Sequence, residues 1–273
     1  MMKNDTFFWF KENTLTIPGV TGERLIMHIT DSHLHVRDGL STDEEKAEAE
    51  RQEAHWMTGK ENFARGNGEP FGDAQRISST EAFEKALALA GELKPDLLVL
   101  TGDNLDYMHP AGERYLRSRL GGYGGKFLCV PGNHESESCN GVWSPGVRTC
   151  DLGGAVVAAI DDRKGTLTDG DLAELERICG EGKPVIVVCH IPVSTDLCRG
   201  EMEKLGAYFY IDSRSEDENA RRFVSLLESG AVKAVICGHV HGYHRMEIAP
   251  GVTQIIGSQA MAGAVDLVTV KGE

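Results

Sequence analysis

Short apolar runs alternate with longer amphipathic stretches along most of this chain, which predicts strands followed by helices. Phe7 to Phe10 and Thr14 to Ile17 flank Lys11-Glu12-Asn13, the pattern of a hairpin or an edge strand. Arg24 to Ile29 predicts a short strand. Ser78-Ser79-Thr80-Glu81 has the form of a capping box, and Phe83, Ala86, Leu87, Ala90 and Leu93 follow at helical spacing until Pro95. Asp96 to Thr101 then predicts a buried strand. The rhythm continues with a helix over Ala111 to Leu120 and strands over Lys126 to Val130 and Ala155 to Ile160. A helix capped by Thr168, a strand over Val185 to Cys189, a helix over Asn219 to Glu228 and a strand over Val232 to Cys237 come next. From Tyr243 onward, β runs broken by Pro250-Gly251, Gly257 and Gly263 predict a meander.

One segment, Gly39 to Ile77, breaks the rhythm. Ser41 to Met57 is rich in Glu and Ala and predicts a helix, whereas Gly59, Gly66, Gly68, Pro70 and Gly72 predict a loop. The segment leaves from a strand end and carries Trp56, Phe63 and Phe71, so it reads as a solvated insertion or as a lid. No internal repeat or low-complexity linker divides the rest. The expectation is one α/β domain over residues 1–273 with an insertion at 39–77.

Composition narrows the function. Asp and Glu number 42 against 28 Lys and Arg, a net charge of −14, which excludes a broad basic face for nucleic acid. An anionic substrate would have to be attracted locally, most simply by bound cations. The Cys count is seven, with no Cys-x-x-Cys, the usage of buried free thiols in a reducing compartment rather than of structural zinc. The apolar run near the start is too short for a signal-peptide core, and no run approaches a membrane span. A soluble, cytoplasmic protein without a membrane partner is expected.

The chemistry lies where the predicted strands end. Asp31-Ser32-His33, Gly102-Asp103-Asn104, Gly132-Asn133-His134-Glu135, Cys189-His190 and Gly238-His239-Val240-His241 each follow an apolar run. In α/β layouts ligands bind at the carboxyl ends of strands, so signatures distant in sequence converge. Asp31 and Asp103 offer anionic oxygens, Asn133 a carbonyl oxygen, and His33, His190, His239 and His241 imidazole nitrogens. That mixed set without thiolate suits Mn, Fe, Zn or Co. Asp31 and His33, like His239 and His241, are two apart, so on an extended chain they point the same way. Two divalent ions about 3.5–4 Å apart acidify a shared water and clamp phosphoryl oxygens for in-line attack. Asp103 is the natural bridging carboxylate. His134 is left over as general acid for the leaving oxygen.

The five signatures together resemble the calcineurin-like metallophosphoesterases, whose pattern is Asp-x-His, Gly-Asp, Gly-Asn-His-Asp/Glu, His and Gly-His-x-His. Every element is matched over residues 25 to 241. The resemblance implies a four-layer α/β/β/α sandwich with two mixed β-sheets and a dinuclear centre at the strand ends. It implies one metal held by Asp31, His33, Asp103 and His241, and another by Asp103, Asn133, His190 and His239. Asn133 and His134 would also meet the substrate. Tyr107 and Pro131 stand where the family's protein phosphatases carry phosphate-binding arginines, and Asp106 stands where purple acid phosphatases place a Tyr ligand. The run Val130-Pro131-Gly132-Asn133-His134-Glu135 is similar to the prokaryotic phosphodiesterase branch, which includes cyclic-nucleotide and glycerophosphodiester hydrolases.

The expected function is therefore phosphodiester hydrolysis on a small molecule. A phosphomonoesterase on the same site, or a metal-binding scaffold without turnover, are the alternatives. Asp106, His109 and His35 are read chiefly as packing residues with a possible substrate contact. The segment Thr195 to Asp217, with Tyr208 and Tyr210, is a candidate cleft wall.

Overall fold

The computed structural model describes residues 7–66, 76–136, 138–206 and 210–273. In chain order they form β1 (Trp9–Thr16), β2 (Glu23–Ile29), α1 (Asp43–Gly66), α2 (Ser79–Leu93), β3 (Leu97–Thr101), α3 (Pro110–Gly121) and β4 (Phe127–Val130). Then come β5 (Arg148–Asp151), β6 (Val156–Ala159), α4 (Asp169–Cys179), β7 (Val185–Val188), β8 (Val193–Ser194), α5 (Arg199–Met202) and β9 (Ile211–Asp212). The chain closes with α6 (Glu218–Leu227), β10 (Val232–Cys237), β11 (His244–Ala249), β12 (Val252–Ile256) and β13 (Ala264–Lys271).

Strand burial dictates the architecture. Val185 to Val188 and Leu97 to Thr101 are buried throughout, so their sheets must be covered on both faces. One sheet runs β1-β13-β2-β3-β4 and the other β11-β12-β10-β7-β6-β5, both mixed in direction. Ile26, Leu97, Val99 and Leu128 of the first meet Val157, Ile186, Val188 and Ile236 of the second in a dry layer between the sheets. The first sheet's outer face packs Met27, Ile29, Leu98 and Leu100 against Phe83, Ala86, Leu89, Ala90 and Leu116 of α2 and α3. The second packs Val185, Val187 and Val235 against Leu172, Leu175 and Ile178 of α4 and Phe223, Val224 and Leu227 of α6. Each such side chain contributes about 1.5–3 kcal/mol by leaving water. The result is a four-layer α/β/β/α sandwich. Helix starts follow the predicted chemistry: Ser78 accepts from the Glu81 N–H and Thr168 from the Asp171 N–H.

Of the two readings of the first apolar runs, the edge strand is the one observed: residues 9–16 are one strand paired in parallel with β13 at a sheet edge. The polar triplet does not turn: it continues the strand, and buried Asn13 accepts from the Tyr243 hydroxyl at its Oδ1 at 2.7 Å. The C-terminal strands are not a meander: β12 runs parallel to β10, and β13 crosses to the other sheet to lie between β1 and β2. In the 39–77 segment the helix continues past Gly59 to Gly66, since one glycine costs a helix only about 1 kcal/mol. Gly68, Pro70, Phe71, Gly72, Tyr208 and the side chain of Phe63 lie outside the described residues. Tyr210 donates its hydroxyl to the Met202 carbonyl at 2.7 Å, a packing role.

All seven Cys are free thiols. Among the described residues no helix is long and apolar enough to cross a membrane.

Candidate active site

The five signatures follow β2, β3, β4, β7 and β10, and all end at one edge of the sandwich. Backbone hydrogen bonds lace them together. The Asp31 N–H donates to the Gly102 carbonyl at 3.1 Å and the His33 N–H to the Asp103 carbonyl at 2.9 Å. The Gly238 N–H donates to the His190 carbonyl at 3.0 Å. Between the sheets, the His239 N–H donates to Asp31 Oδ2 at 3.0 Å. The His134 N–H donates to Asp103 Oδ1 at 3.0 Å.

The ligand-bearing turns are not extended chain. Asp31, His33, Asp103, His239 and His241 all have positive φ, between 42° and 76°. Among the described residues the sole other non-glycine with positive φ is Lys94, at a helix end. Asp and His are among the side chains that tolerate this region, at roughly 1–3 kcal/mol each. The convergence of Asp31 with His33, and of His239 with His241, is therefore produced by left-handed turns rather than by alternation along a strand. The motif glycines have a matching reason: a Cβ on Gly132 would land on the Asp103 carboxylate, and one on Gly238 on the Thr30 hydroxyl.

All seven predicted ligands come together. Donor atoms of Asp31, His33, Asp103 and His241 lie within 4.8 Å of one another, as do those of Asp103, His190 and His239. Asn133 Oδ1 joins the second group, 3.0 Å from His190 Nε2 and 2.9 Å from His239 Nδ1. Asp103 Oδ2 is central, 3.4 Å from His190 Nε2 and 3.9 Å from His33 Nε2. Asp31 Oδ1 lies 3.4 Å from His241 Nε2.

The donors fit divalent metal ions. His190 Nδ1–H donates to the Thr101 carbonyl at 2.7 Å, and His33 Nδ1 faces the Asp106 carboxylate at 3.2 Å. Both contacts place the proton on Nδ1 and leave the Nε2 lone pair aimed at the cluster, the arrangement that metal-binding imidazoles require. Burial alone would raise the pKa of Asp31, but the His241 contact outweighs it and lowers it to about 2. Burial opposes ionisation of Asp103 too, and the charges of His190 and His33 override it. Burial lowers His33, and burial together with the charge of His190 takes His239 to about 4. Burial would lower His190 as well, but the Asp103 charge holds it well above the usual imidazole range, so a bound cation would take the place of that proton.

Some residues matter more than their sequence suggested. Asp106 is a hub: its Oδ1 lies 3.2 Å from His33 Nδ1 and 3.3 Å from His134 Nδ1, and its Oδ2 3.1 Å from His35 Nε2. His35 thus braces Asp106 rather than facing the cluster. His109 is structural, with both ring nitrogens on backbone carbonyls, those of Tyr107 and Val36. Two buried acids support the site without being among the predicted ligands. Buried Asp162, at the end of β6, accepts from the N–H groups of His190 and Ile191 at 2.8 Å each. Buried Glu135 accepts from the N–H groups of Leu105 and Gly132. Burial raises Asp162 to about 6, and burial with the nearby Asp103 charge raises Glu135 to about 7. The available signal for Asp162 was its place after the apolar run Ala155 to Ile160.

His134 differs from the rest. Its side chain is 34% exposed, its Nδ1 donates to the Asp106 carbonyl at 2.7 Å, and its Nε2 lies 3.9 Å from Asp103 Oδ2. Burial would lower its pKa, yet the Asp106 contact and the Asp103 charge raise it to about 9.

A four-layer sandwich that gathers oxygen and nitrogen donors at the strand ends of both sheets is the layout of a metal-dependent phosphoric ester hydrolase. Residues 24–243 match the calcineurin-like phosphoesterase family, and the chain belongs to it. A curated relative from Psychrobacter sp. (strain PRwf-1), named "Probable cyclic nucleotide phosphodiesterase", is 32% identical over 121 residues. That match covers 40% of this chain and 35% of the relative's length. Two solved structures share the fold. A dimetal phosphatase from Danio rerio superposes with a TM-score of 0.50 at 12% identity, covering 88% of each chain. The protein TT1561 of Thermus thermophilus gives 0.51 at 11% identity, covering 88% of this chain and 91% of its own.

Proposed function

We propose that the chain is a dinuclear metal-dependent phosphodiesterase acting on a small molecule of the cyclic nucleotide or glycerophosphodiester type. The observation that carries this reading is the central Asp103 carboxylate, shared by two clusters of buried and half-buried donors. Asp31, His33, Asp103 and His241 would hold one ion, and Asp103, Asn133, His190 and His239 the other. When bound, the pair supplies an activated water and a positive clamp for phosphoryl oxygens, with Mn, Fe, Zn and Co all suited to the donor set.

The chain's own groups do the remainder. Asn133 is exposed and His239 half-buried, so substrate approaches from their side. His134 stands on the same flank with its ring fixed through Nδ1, leaving Nε2 to give a proton to the departing oxygen. In a protein with a net charge of −14, the bound cations would make this site the place that attracts an anionic substrate. The diester preference is supported by the relative's name and by Tyr107 and Pro131 standing in place of phosphate-gripping arginines. The chain then acts as one domain, with helix α1 as a partial cover.

The test is hydrolysis of bis(p-nitrophenyl) phosphate and p-nitrophenyl phosphate by metal-loaded protein. Faster turnover of the diester is expected, and it should vanish in Asp103→Ala and His190→Ala. A faster monoester would shift the assignment to a phosphomonoesterase. Undiminished activity in both variants would end the dinuclear mechanism.

A further inference from the structure

Helix α1 has a composition that does not explain its position. It is rich in charged residues, and its start is secured locally: the Thr42 N–H donates to Glu45 Oε2 at 2.7 Å and the Glu45 N–H to Thr42 Oγ1 at 3.2 Å. One narrow stripe faces the body of the protein. Ala49 and Lys60 are fully buried and Trp56 is half-buried, at positions i, i+7 and i+11 of one helix face. Lys60 Nζ donates to the Ile77 carbonyl at 2.9 Å and clamps the far end of the segment. Arg37 pairs with Glu53 at 3.2 Å on the near side. The helix is thus held on both sides of Trp56.

Trp56 is delivered to the candidate metal cluster. Its indole Nε1–H donates to Asp106 Oδ1 at 2.9 Å, the same oxygen that faces His33 Nδ1 at 3.2 Å. Its ring stacks on His33 with centroids 4.4 Å apart and planes 28° from parallel, and lies 5.7 Å from His241. The indole touches an imidazole that must stay fixed in rotamer and tautomer to serve as a ligand, and it also holds the carboxylate that fixes it.

From this we propose that Trp56 is a positioning residue for the metal centre. It orients Asp106, and through Asp106 it keeps the His33 Nε2 lone pair aimed at the cation. The proposal rests on the dinuclear reading above. A residue that merely covers the cleft would act through its bulk, whereas a positioning residue of this kind acts through its N–H.

The experiment measures Mn²⁺ and Zn²⁺ affinity of the metal-stripped full chain by competition with a chromophoric chelator, with thermal unfolding of each variant alongside. Variants are Trp56→Phe, which keeps a stacking ring without the N–H, Trp56→Ala, and Asp103→Ala. Loss of a group that orients a metal ligand costs about tenfold or more in metal affinity. A loss near tenfold in both Trp56 variants, at an unchanged unfolding midpoint, is expected. Wild-type affinity in Trp56→Phe would reduce Trp56 to a cover, and wild-type affinity in Trp56→Ala would remove any role; either overturns the proposal. Asp103→Ala separates the two levels. Full metal binding there would defeat the dinuclear reading itself, whereas its loss with unaffected Trp56 variants defeats the Trp56 assignment alone.

Discussion

The two halves of the candidate site use the same kinds of donor in different surroundings. On the Asp31–His33–His241 side the carboxylate and His33 are fully buried, His241 is 14% exposed, and a tryptophan from a distant helix lies over the ring. On the other side Asn133 is exposed, His239 is half-buried, and His134 stands at the rim. The first half is braced by side chains from three separate segments, through Asp106, His35 and Trp56. The second is braced mainly by backbone, through the Thr101 carbonyl on His190 Nδ1 and the N–H groups that grip Asp162. Under the proposed function the contrast would separate holding from reacting, the buried half serving retention and the open half access and proton transfer.

That division can be broken at several points. The largest effect is expected from Asp103→Ala, because its carboxylate belongs to both halves: hydrolysis should disappear, and elemental analysis should find less than the full metal complement. His134→Ala should lower kcat by about 10²–10⁴-fold with metal content unchanged, since general acid catalysis supplies that much. The loss should be greater on a diester with an alkoxide leaving group than on a nitrophenyl ester, and equal losses would take the proton from His134. Asp106→Asn should weaken metal binding by about 10–100-fold, mainly in the covered half. A uniform loss of both equivalents would erase the distinction between the halves. The smallest change is expected from Thr42→Ala, which removes one helix cap and costs about 1 kcal/mol. It should appear as faster amide exchange at the start of α1, leaving the rim with His134 untouched.

The open half was the more legible one. Each of its predicted ligands follows an apolar strand, so strand position and residue type pointed to it; the alternation of strands and helices gave the α/β class, and the order of the layers came with the resemblance carried by the five signatures. The covered half was legible in its ligands but not in its bracing. Asp106 looked like one more polar residue after the second signature. What makes it a hub is Trp56, fifty positions earlier on a helix whose periodicity is weak. Contacts between segments leave no periodic trace in a single sequence. The left-handed turns were hidden for a different reason. The spacing Asp-x-His fits an extended chain as well as a turn, and only the backbone distinguishes them. The parallel pairing of β1 with β13 and the transfer of β13 to the other sheet depend on long-range pairing, which local patterns do not carry.

The place of β13 bears on how the protein is made. It separates β1 from β2, and Asp266 on it accepts from His28 on β2 across 238 positions of sequence. During translation β2 must wait beside β3 with its other edge unpaired until that late strand has cleared the ribosome. The turn bearing Asp31 and His33 is continuous with β2. A nascent chain arrested upstream of β13 would therefore hold that turn beside an unpaired apolar strand edge, a surface for chaperones to guard.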